Sequence, residues 1–243
     1  MPQNTFVGEI ARRYDAADAA ANDPAAIAPV VERLAELANG GAALEFAIGT
    51  GRIALPLRER GVTVKGIEIS HDMVAELRRK PGGGDIEVVI GDMASARVPG
   101  DFALVYLVFN TISNLLTQQE QIACFGNAAA HLPAGGCFVI ELQVPQLRRM
   151  PPGERAYPFA ITPRHLGFDT YDFASQRLTS HHYFFDGDEC VRFESHHRYA
   201  WPAELDLMAK LAGLDLAHRW ADWRGTPFDG ESQNHVSVWR KTS

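Results

Sequence analysis

A doubly wound α/β fold built on a parallel sheet is what this 243-residue sequence predicts. Short apolar runs alternate with helical patterns from Ala42 to Val144. Alternation of that kind feeds parallel strands through helical crossovers. The runs are apolar almost throughout, as in strands buried on both faces. A glycine turn, Gly49-Thr50-Gly51, also separates the first run from a helix start. A turn of that kind brings the backbone close to a ligand at a helix N-terminus.

Taken in order, residues 8–38 are helical in pattern, with Ile27, Val30, Val31, Leu34 and Leu37 at helical spacing. Asn22-Asp23-Pro24 divides them into two helices, with Asp23 as N-cap and Pro24 at the first helical position. Asn39-Gly40-Gly41 stops the second. Strands are then expected at Ala42–Ile48, Val62–Ile69, Ile86–Ile90, Phe102–Phe109 and Cys137–Val144, and helices at Arg52–Arg60, His71–Arg79 and Gln118–Leu132.

The pattern changes at Pro145. Residues up to Pro163 are proline-rich and read as irregular. Antiparallel strands follow at His165–Phe173, Leu178–Asp186 and Cys190–Ala200, the last two joined by the turn Asp186-Gly187-Asp188. A helix opens at Trp201-Pro202 and runs to about Ala212, and strands at Leu214–Trp220 and His235–Arg240 close the chain. One domain over 1–243 therefore divides into a helical segment at 1–38, a core at 39–145, a β insert at 146–200 and closing elements at 201–243.

A net charge of −7 and the absence of any long Lys/Arg run argue against a nucleic-acid binder. No apolar run is long enough to cross a bilayer, and the N-terminus lacks the apolar core of a signal peptide. The three cysteines, Cys124, Cys137 and Cys190, are widely separated and odd in number. They read as small buried side chains in a reducing compartment, so a cytoplasmic protein is expected. No metal site is expected, because the histidine pairs His181-His182 and His196-His197 lack a third ligand at recognisable spacing.

Gly49-x-Gly51-x-x-Ala54 alone does not say which cofactor it holds, since it also fits a loose dinucleotide fingerprint. The acids around it discriminate. Glu45, just before the turn, would repel a pyrophosphate and suits an ammonium group. Glu68, ending the second strand, can take both hydroxyls of a ribose. Asp92, after the third, can accept from an adenine amino group with Met93 against the ring. S-adenosylmethionine offers an ammonium, a ribose and an adenine without phosphate.

These residues, with Gly66-Ile67-Glu68-Ile69-Ser70, Gly91-Asp92-Met93, Val108-Phe109-Asn110 and Leu132-Pro133-Ala134-Gly135-Gly136 in that order, resemble the class I S-adenosylmethionine-dependent methyltransferase family. The resemblance spans roughly residues 40–145. It implies a Rossmann-like sheet of seven strands whose last strand, His235–Trp239, enters antiparallel. It also implies that Glu45, Ala47, Gly49 and Gly51 line the methionine tail, that Glu68 and Ile69 hold the ribose, and that Asp92 and Met93 hold the adenine. Met73 would pack near the adenosine, and Val108, Phe109 and Asn110 would lie beneath the sulfonium. Tyr14 resembles a tyrosine in the lid helix of small-molecule methyltransferases, which makes 1–38 a lid. The family usually has glycine where this chain has Ala47. Its substrate pocket is typically built by the segment corresponding to 146–200, here rich in Phe and Tyr.

The expected reaction is methyl transfer from S-adenosyl-L-methionine to a nitrogen or oxygen of a small organic molecule. A hydroxyl acceptor usually needs a base and a neutral amine does not. Tyr14, Glu141 and His181 are the candidate catalytic groups. Two alternatives stand beside it: a non-methylating S-adenosylmethionine-binding regulator or cyclase on the same scaffold, and an NAD-dependent oxidoreductase. The expected partner is a small-molecule acceptor, with neither nucleic acid nor membrane, and a homodimer is an assembly the sequence leaves open.

Overall fold

The computed structural model describes residues 6–17, 22–187 and 189–242. Helices α1 (Glu9–Ala17) and α2 (Pro24–Ala38) lead into β1 (Ala43–Phe46), α3 (Ala54–Glu59), β2 (Val64–Glu68), α4 (His71–Arg79), β3 (Glu87–Ile90), β4 (Leu104–Leu107), α5 (Gln118–His131) and β5 (Cys137–Gln143). Then come β6 (Ala156–Thr162), β7 (His165–Asp172), β8 (Arg177–Asp186) and β9 (Glu189–Arg198). Helix α6 (Pro202–Leu211), β10 (Leu214–Trp220) and β11 (Asn234–Lys241) complete the chain.

Seven strands form one sheet in the order β10-β11-β5-β4-β1-β2-β3. Strands β1 to β5 pair in parallel, and β11 runs antiparallel to both β5 and β10. The doubly wound sheet with its reversed last strand is thus present. Its two faces alternate along each strand, as the pleat requires. Leu44, Val105, Leu107, Phe138 and Ile140 pack with Phe125 of α5 and Leu205 and Met208 of α6. Ala43, Leu104, Tyr106 and Val139 pack with Val31 and Leu34 of α2 and Leu57 of α3.

Local signals account for the helix ends. Asp23 accepts from Ala25 N–H at 2.9 Å at the N-terminus of α2, and Asn39 ends that helix with φ of 45°. Ser70 caps α4, and Thr117 with Glu120 forms a capping box on α5. Two strands end earlier than expected for a shared reason. After β1, Ala47 takes φ of 52°, and after β4, Phe109 and Asn110 take 59° and 62°, which no strand accommodates. Ala47, Phe109 and Asn110 turn the chain at the carboxyl edge of the sheet, where open α/β folds bind ligands.

A separate antiparallel sheet has the order β6-β7-β8-β9. The expectation that Pro145–Pro163 is irregular is corrected here, because β6 occupies its second half. Proline composition hid the strand. Pro158 is tolerated because β6 is an edge strand with a register irregularity between Pro158 and Ala160. Gly187 has φ of 60° at the β8–β9 turn, and Asp188 of that turn lies outside the described residues. Arg198, at the end of β9 and 4% exposed, fastens this sheet to the core. It donates to Gln121 Oε1 of α5 at 2.5 Å and to Glu204 Oε1 of α6 at 2.6 Å. Because both partners of the ion pair are withdrawn from water, loss of either would leave a costly uncompensated charge.

Candidate active site

The glycine turn is shaped by backbone. Gly49 (φ 58°) and Gly51 (φ 80°) both occupy the left-handed region. A Cβ at Gly51 would come within 2.3 Å of Leu77 Cδ1, so α4 packs directly beneath the turn. At Gly49 a Cβ would lie 3.3 Å from Met73 Cε and intrude on the space in front of the turn. Glu68 holds the turn from the next strand, its Oε2 accepting from Gly49 N–H at 2.8 Å and its Oε1 from Ser70 N–H at 2.9 Å. Burial pushes the Glu68 carboxyl up, and those N–H groups oppose the shift. Asp92 Oδ1 accepts from Ala94 N–H at 2.8 Å, which fixes the turn after β3.

These groups border a cavity of about 580 Å³, a size suited to small ligands. Among the sequence-expected residues, it is lined by Tyr14, Ala47, Gly49, Glu68, Ile69, Met73, Asp92, Met93, Phe109 and Asn110. Helix α1 closes over this end. Asp15 accepts from Thr50 Oγ1 at 2.6 Å and pairs with Lys80 Nζ at 2.6 Å, while Gly8 N–H donates to Asp72. Tyr14 sits edge-on to Phe6, with ring centroids 5.6 Å apart, and both rings line the cavity.

Three residues expected at the cofactor lie behind the cavity wall. Gly51 packs against α4, and Val108 belongs to the core on the α2 side. Glu45 is 3% exposed and points into that same side, because the pleat sends it away from the Leu44 and Phe46 face. Its Oε2 accepts from the Tyr106 hydroxyl at 2.9 Å, and it also accepts from Ala54 N–H at the start of α3. Burial pushes its carboxyl up to about 8, and the nearby Arg52 guanidinium works against that shift. Glu45 therefore braces the turn and the helix start from within.

Two candidate catalytic groups are likewise outside the cavity lining. Both oxygens of Glu141 are engaged: Oε2 by Phe109 N–H at 2.9 Å and Oε1 by Trp223 Nε1 at 2.9 Å. Together with Asn110 Oδ1, which accepts from Gln143 N–H at 2.7 Å, it clamps the strained Phe109-Asn110 turn onto β5. Strain of this kind persists only where its surroundings hold it. His181 faces away from the cavity. Its Nδ1 meets Glu194 Oε1 at 3.0 Å, its Nε2 meets Thr170 Oγ1 at 2.9 Å, and its ring stacks on Phe168.

The opposite wall of the cavity is the β7–β9 sheet, and here strand parity selects the residues. Leu178, Ser180 and His182 of β8 face inward, and their register partners His197, Ser195 and Phe193 of β9 face inward with them. Asp169 and Tyr171 of β7 extend the same rows. His196 also reaches the lining. Burial draws the His182 imidazole down and brings His197 to about 4. Register decides which of the adjacent histidines face the cavity: His182 and His197 do, and His181 does not. Asp169, Ser180 and Ser195 carried no sequence signal of their own, since their importance lies in their pairing.

A family model described as a methyltransferase domain matches residues 43–136. The cypemycin N-terminal methyltransferase of a Streptomyces species is 26% identical over 203 residues, covering 82% of this chain and 83% of that protein. A dTDP-3-amino-3,6-dideoxy-alpha-D-glucopyranose N,N-dimethyltransferase of Streptomyces fradiae is 28% identical over 206 residues, 83% of this chain and 74% of its own. The solved structure of the CcbJ methyltransferase from Streptomyces caelestis superposes with a TM-score of 0.80 at 35% identity, covering 88% of this chain and 89% of that one.

Proposed function

This chain belongs to the class I S-adenosylmethionine-dependent methyltransferase family, and we propose that the acceptor of its methyl group is the nitrogen of a small organic amine. The methyl donor is S-adenosyl-L-methionine. The non-methylating and nicotinamide-dependent alternatives find no support among these relatives.

The observation that carries the reading is the continuity of one cavity from the glycine turn to the β7–β9 wall. Donor and acceptor can then meet within a single enclosure. In our assignment Ala47 and Gly49 border the methionine tail, Glu68 and Ile69 take the ribose, and Asp92, Met93 and Met73 take the adenosine. Phe109, Asn110 and Tyr14 surround the sulfonium. Glu45, Gly51 and Val108 shape the site from behind. When bound, the donor offers a sulfonium methyl to the amine lone pair, the N–C bond forming as the C–S bond breaks and leaves its electrons on sulfur. The protein's task is to hold the two partners in line and exclude water, and the lid contacts of Asp15 serve that purpose.

Nitrogen is favoured over oxygen because a neutral amine brings its own lone pair, whereas a hydroxyl calls for a base. His182 and His197, both drawn down by burial, are weak bases. The amino-sugar relative is named as an N,N-dimethyltransferase, and the cypemycin relative as an N-terminal methyltransferase. Titration calorimetry should give S-adenosylmethionine binding in the micromolar range, on the order of −8 kcal/mol. Incubation with labelled donor and an amine panel should give methylated amine, and cofactor binding without turnover would overturn the reading.

We also propose residence in the cytoplasm, in keeping with three free cysteines, of which Cys124 and Cys137 are buried as expected and Cys190, contrary to expectation, is exposed. No helix among the described residues is long and apolar enough to cross a membrane. A homodimer is likewise proposed, and sedimentation velocity measures it.

A further inference from the structure

The inner face of the β7–β9 wall has a polar middle row between two less polar ones. Asp169, Ser180 and Ser195 lie side by side across the three strands. Asp169 Oδ1 accepts from Ser180 Oγ at 2.6 Å, and the Tyr171 hydroxyl also hydrogen-bonds to this carboxylate. Ser195 Oγ is 2.9 Å from His197 Nε2. A carboxylate offers about four lone-pair positions, so these two donors leave acceptor capacity toward the cavity.

Among the described residues, Asp169 has no fixed cationic partner. From β6 its register neighbour is Tyr157, and from β7 it meets Tyr171. From β8 it meets Ser180 and the field of His181, which is itself bound to Glu194 on the other face. His182 and His197 on the inner face are both drawn toward the neutral form by burial. The cavity lining contains no lysine among the described residues, and its one arginine, Arg52, stands at the glycine-turn end, 4.7 Å over the Phe109 ring. A half-buried carboxylate facing a cavity whose one arginine stands at the opposite, glycine-turn end is stabilised by a ligand that brings positive charge or N–H donors.

Resting on the amine reading above, we propose that Asp169 anchors the acceptor's nitrogen and that the acceptor is an amine carrying no phosphate. The N–H groups of the amine donate to the carboxylate while its lone pair is aimed at the methyl. After transfer the nitrogen is a cation, which Asp169 stabilises until the proton leaves to water. A phosphate or diphosphate on the acceptor would meet Asp169 as a like charge on a wall whose cavity face presents no lysine or arginine among the described residues, a built-in rejection. Burial pushes the Asp169 carboxyl up, in keeping with a group that gains from a nearby cation.

The test uses labelled S-adenosylmethionine with a panel of free amino sugars and arylalkylamines, each accompanied by its alcohol analogue and its phosphate ester. Asp169→Asn keeps one acceptor oxygen for Ser180, removes the charge and replaces the other oxygen with an NH2 donor. Wild-type enzyme should methylate a free amine and leave its phosphate ester unmodified. In Asp169→Asn the KM for that amine should rise by about tenfold or more, with a smaller change in kcat. S-adenosylhomocysteine affinity, measured by calorimetry, should stay within about twofold, which also certifies the fold. An unchanged KM in Asp169→Asn, or preference for the phosphate ester, overturns the proposal and leaves the amine reading intact. A wild-type protein that binds S-adenosylhomocysteine but methylates no amine overturns that reading and this one with it.

Discussion

The two ends of the cavity are made by different means. At the glycine-turn end the chain meets the cavity through backbone and strand-end acids, each set by residues within a few positions of one another. Gly49, Glu68 and Asp92 end successive strands, so the fold's own alternation delivers them to one edge. At the wall the chain meets the cavity through side chains of β7, β8 and β9, delivered by antiparallel register. A one-residue slip in that register would exchange His182 for His181 and Ser180 for Thr179. The first end depends on its own backbone conformations and strand-end acids. The second lends itself to change of lining, because alternate positions along its strands are replaceable without disturbing the main sheet.

The largest test of this contrast is a pair of substitutions. Glu68→Ala removes a buried carboxylate that accepts from Gly49 and Ser70 and faces the cavity. Charged hydrogen bonds contribute about 1.5–3 kcal/mol, so the S-adenosylmethionine Kd should rise by about tenfold to a hundredfold in calorimetry. His182→Ala, on the wall, should move it by less than about twofold. Equal effects would erase the division between a cofactor end and an acceptor end.

The second test is pH. His197 in the wall is held near 4, against an ordinary imidazole value of 6.5. The folded value is depressed, so the unfolded chain takes up the proton first. Stability is therefore full above about pH 6.5 and falls as the pH drops toward 4. His235, fully buried in β11 and held near 3, acts in the same direction from the main sheet. Thermal melts should show Tm decreasing between pH 6.5 and 4, and His197→Gln should flatten part of that decline. An unaltered slope in His197→Gln would assign the whole effect to the core.

The smallest effect is at Ala47. Its φ of 52° costs a non-glycine residue of order 1 kcal/mol, and glycine would relieve that while adding flexibility to the unfolded chain. Ala47→Gly should raise stability by no more than about 1 kcal/mol in denaturant titration and leave S-adenosylmethionine affinity nearly unchanged. A marked loss of affinity would show that the methyl group of Ala47 contributes to the cofactor end.

Much of the geometry at the glycine-turn end was legible without coordinates. The acids at Glu68 and Asp92, the turn at Gly49 and the cap at Asp23 all express local physics: a strand end, a left-handed backbone, a helix terminus. Glu45 was misplaced by the same reasoning, since proximity in sequence to a glycine turn does not say on which face of the sheet a side chain emerges. Glu141 was misread because its two partners, Phe109 and Trp223, lie 32 and 82 residues away. Strand β6 was lost because its proline is acceptable only at an edge, and edges exist only once a sheet has assembled.

The sequence by itself determined the parallel sheet, its reversed last strand through family resemblance, and the row of strand-end groups facing one edge. Those follow from periodicity and from the conformations that glycine, aspartate and proline permit. The tertiary structure decided which of two adjacent histidines faces the cavity, that Glu45 braces and Glu141 clamps, and that Asp169 stands on the wall beside Ser180. These depend on register and on contacts between residues far apart in the chain, which no local pattern encodes.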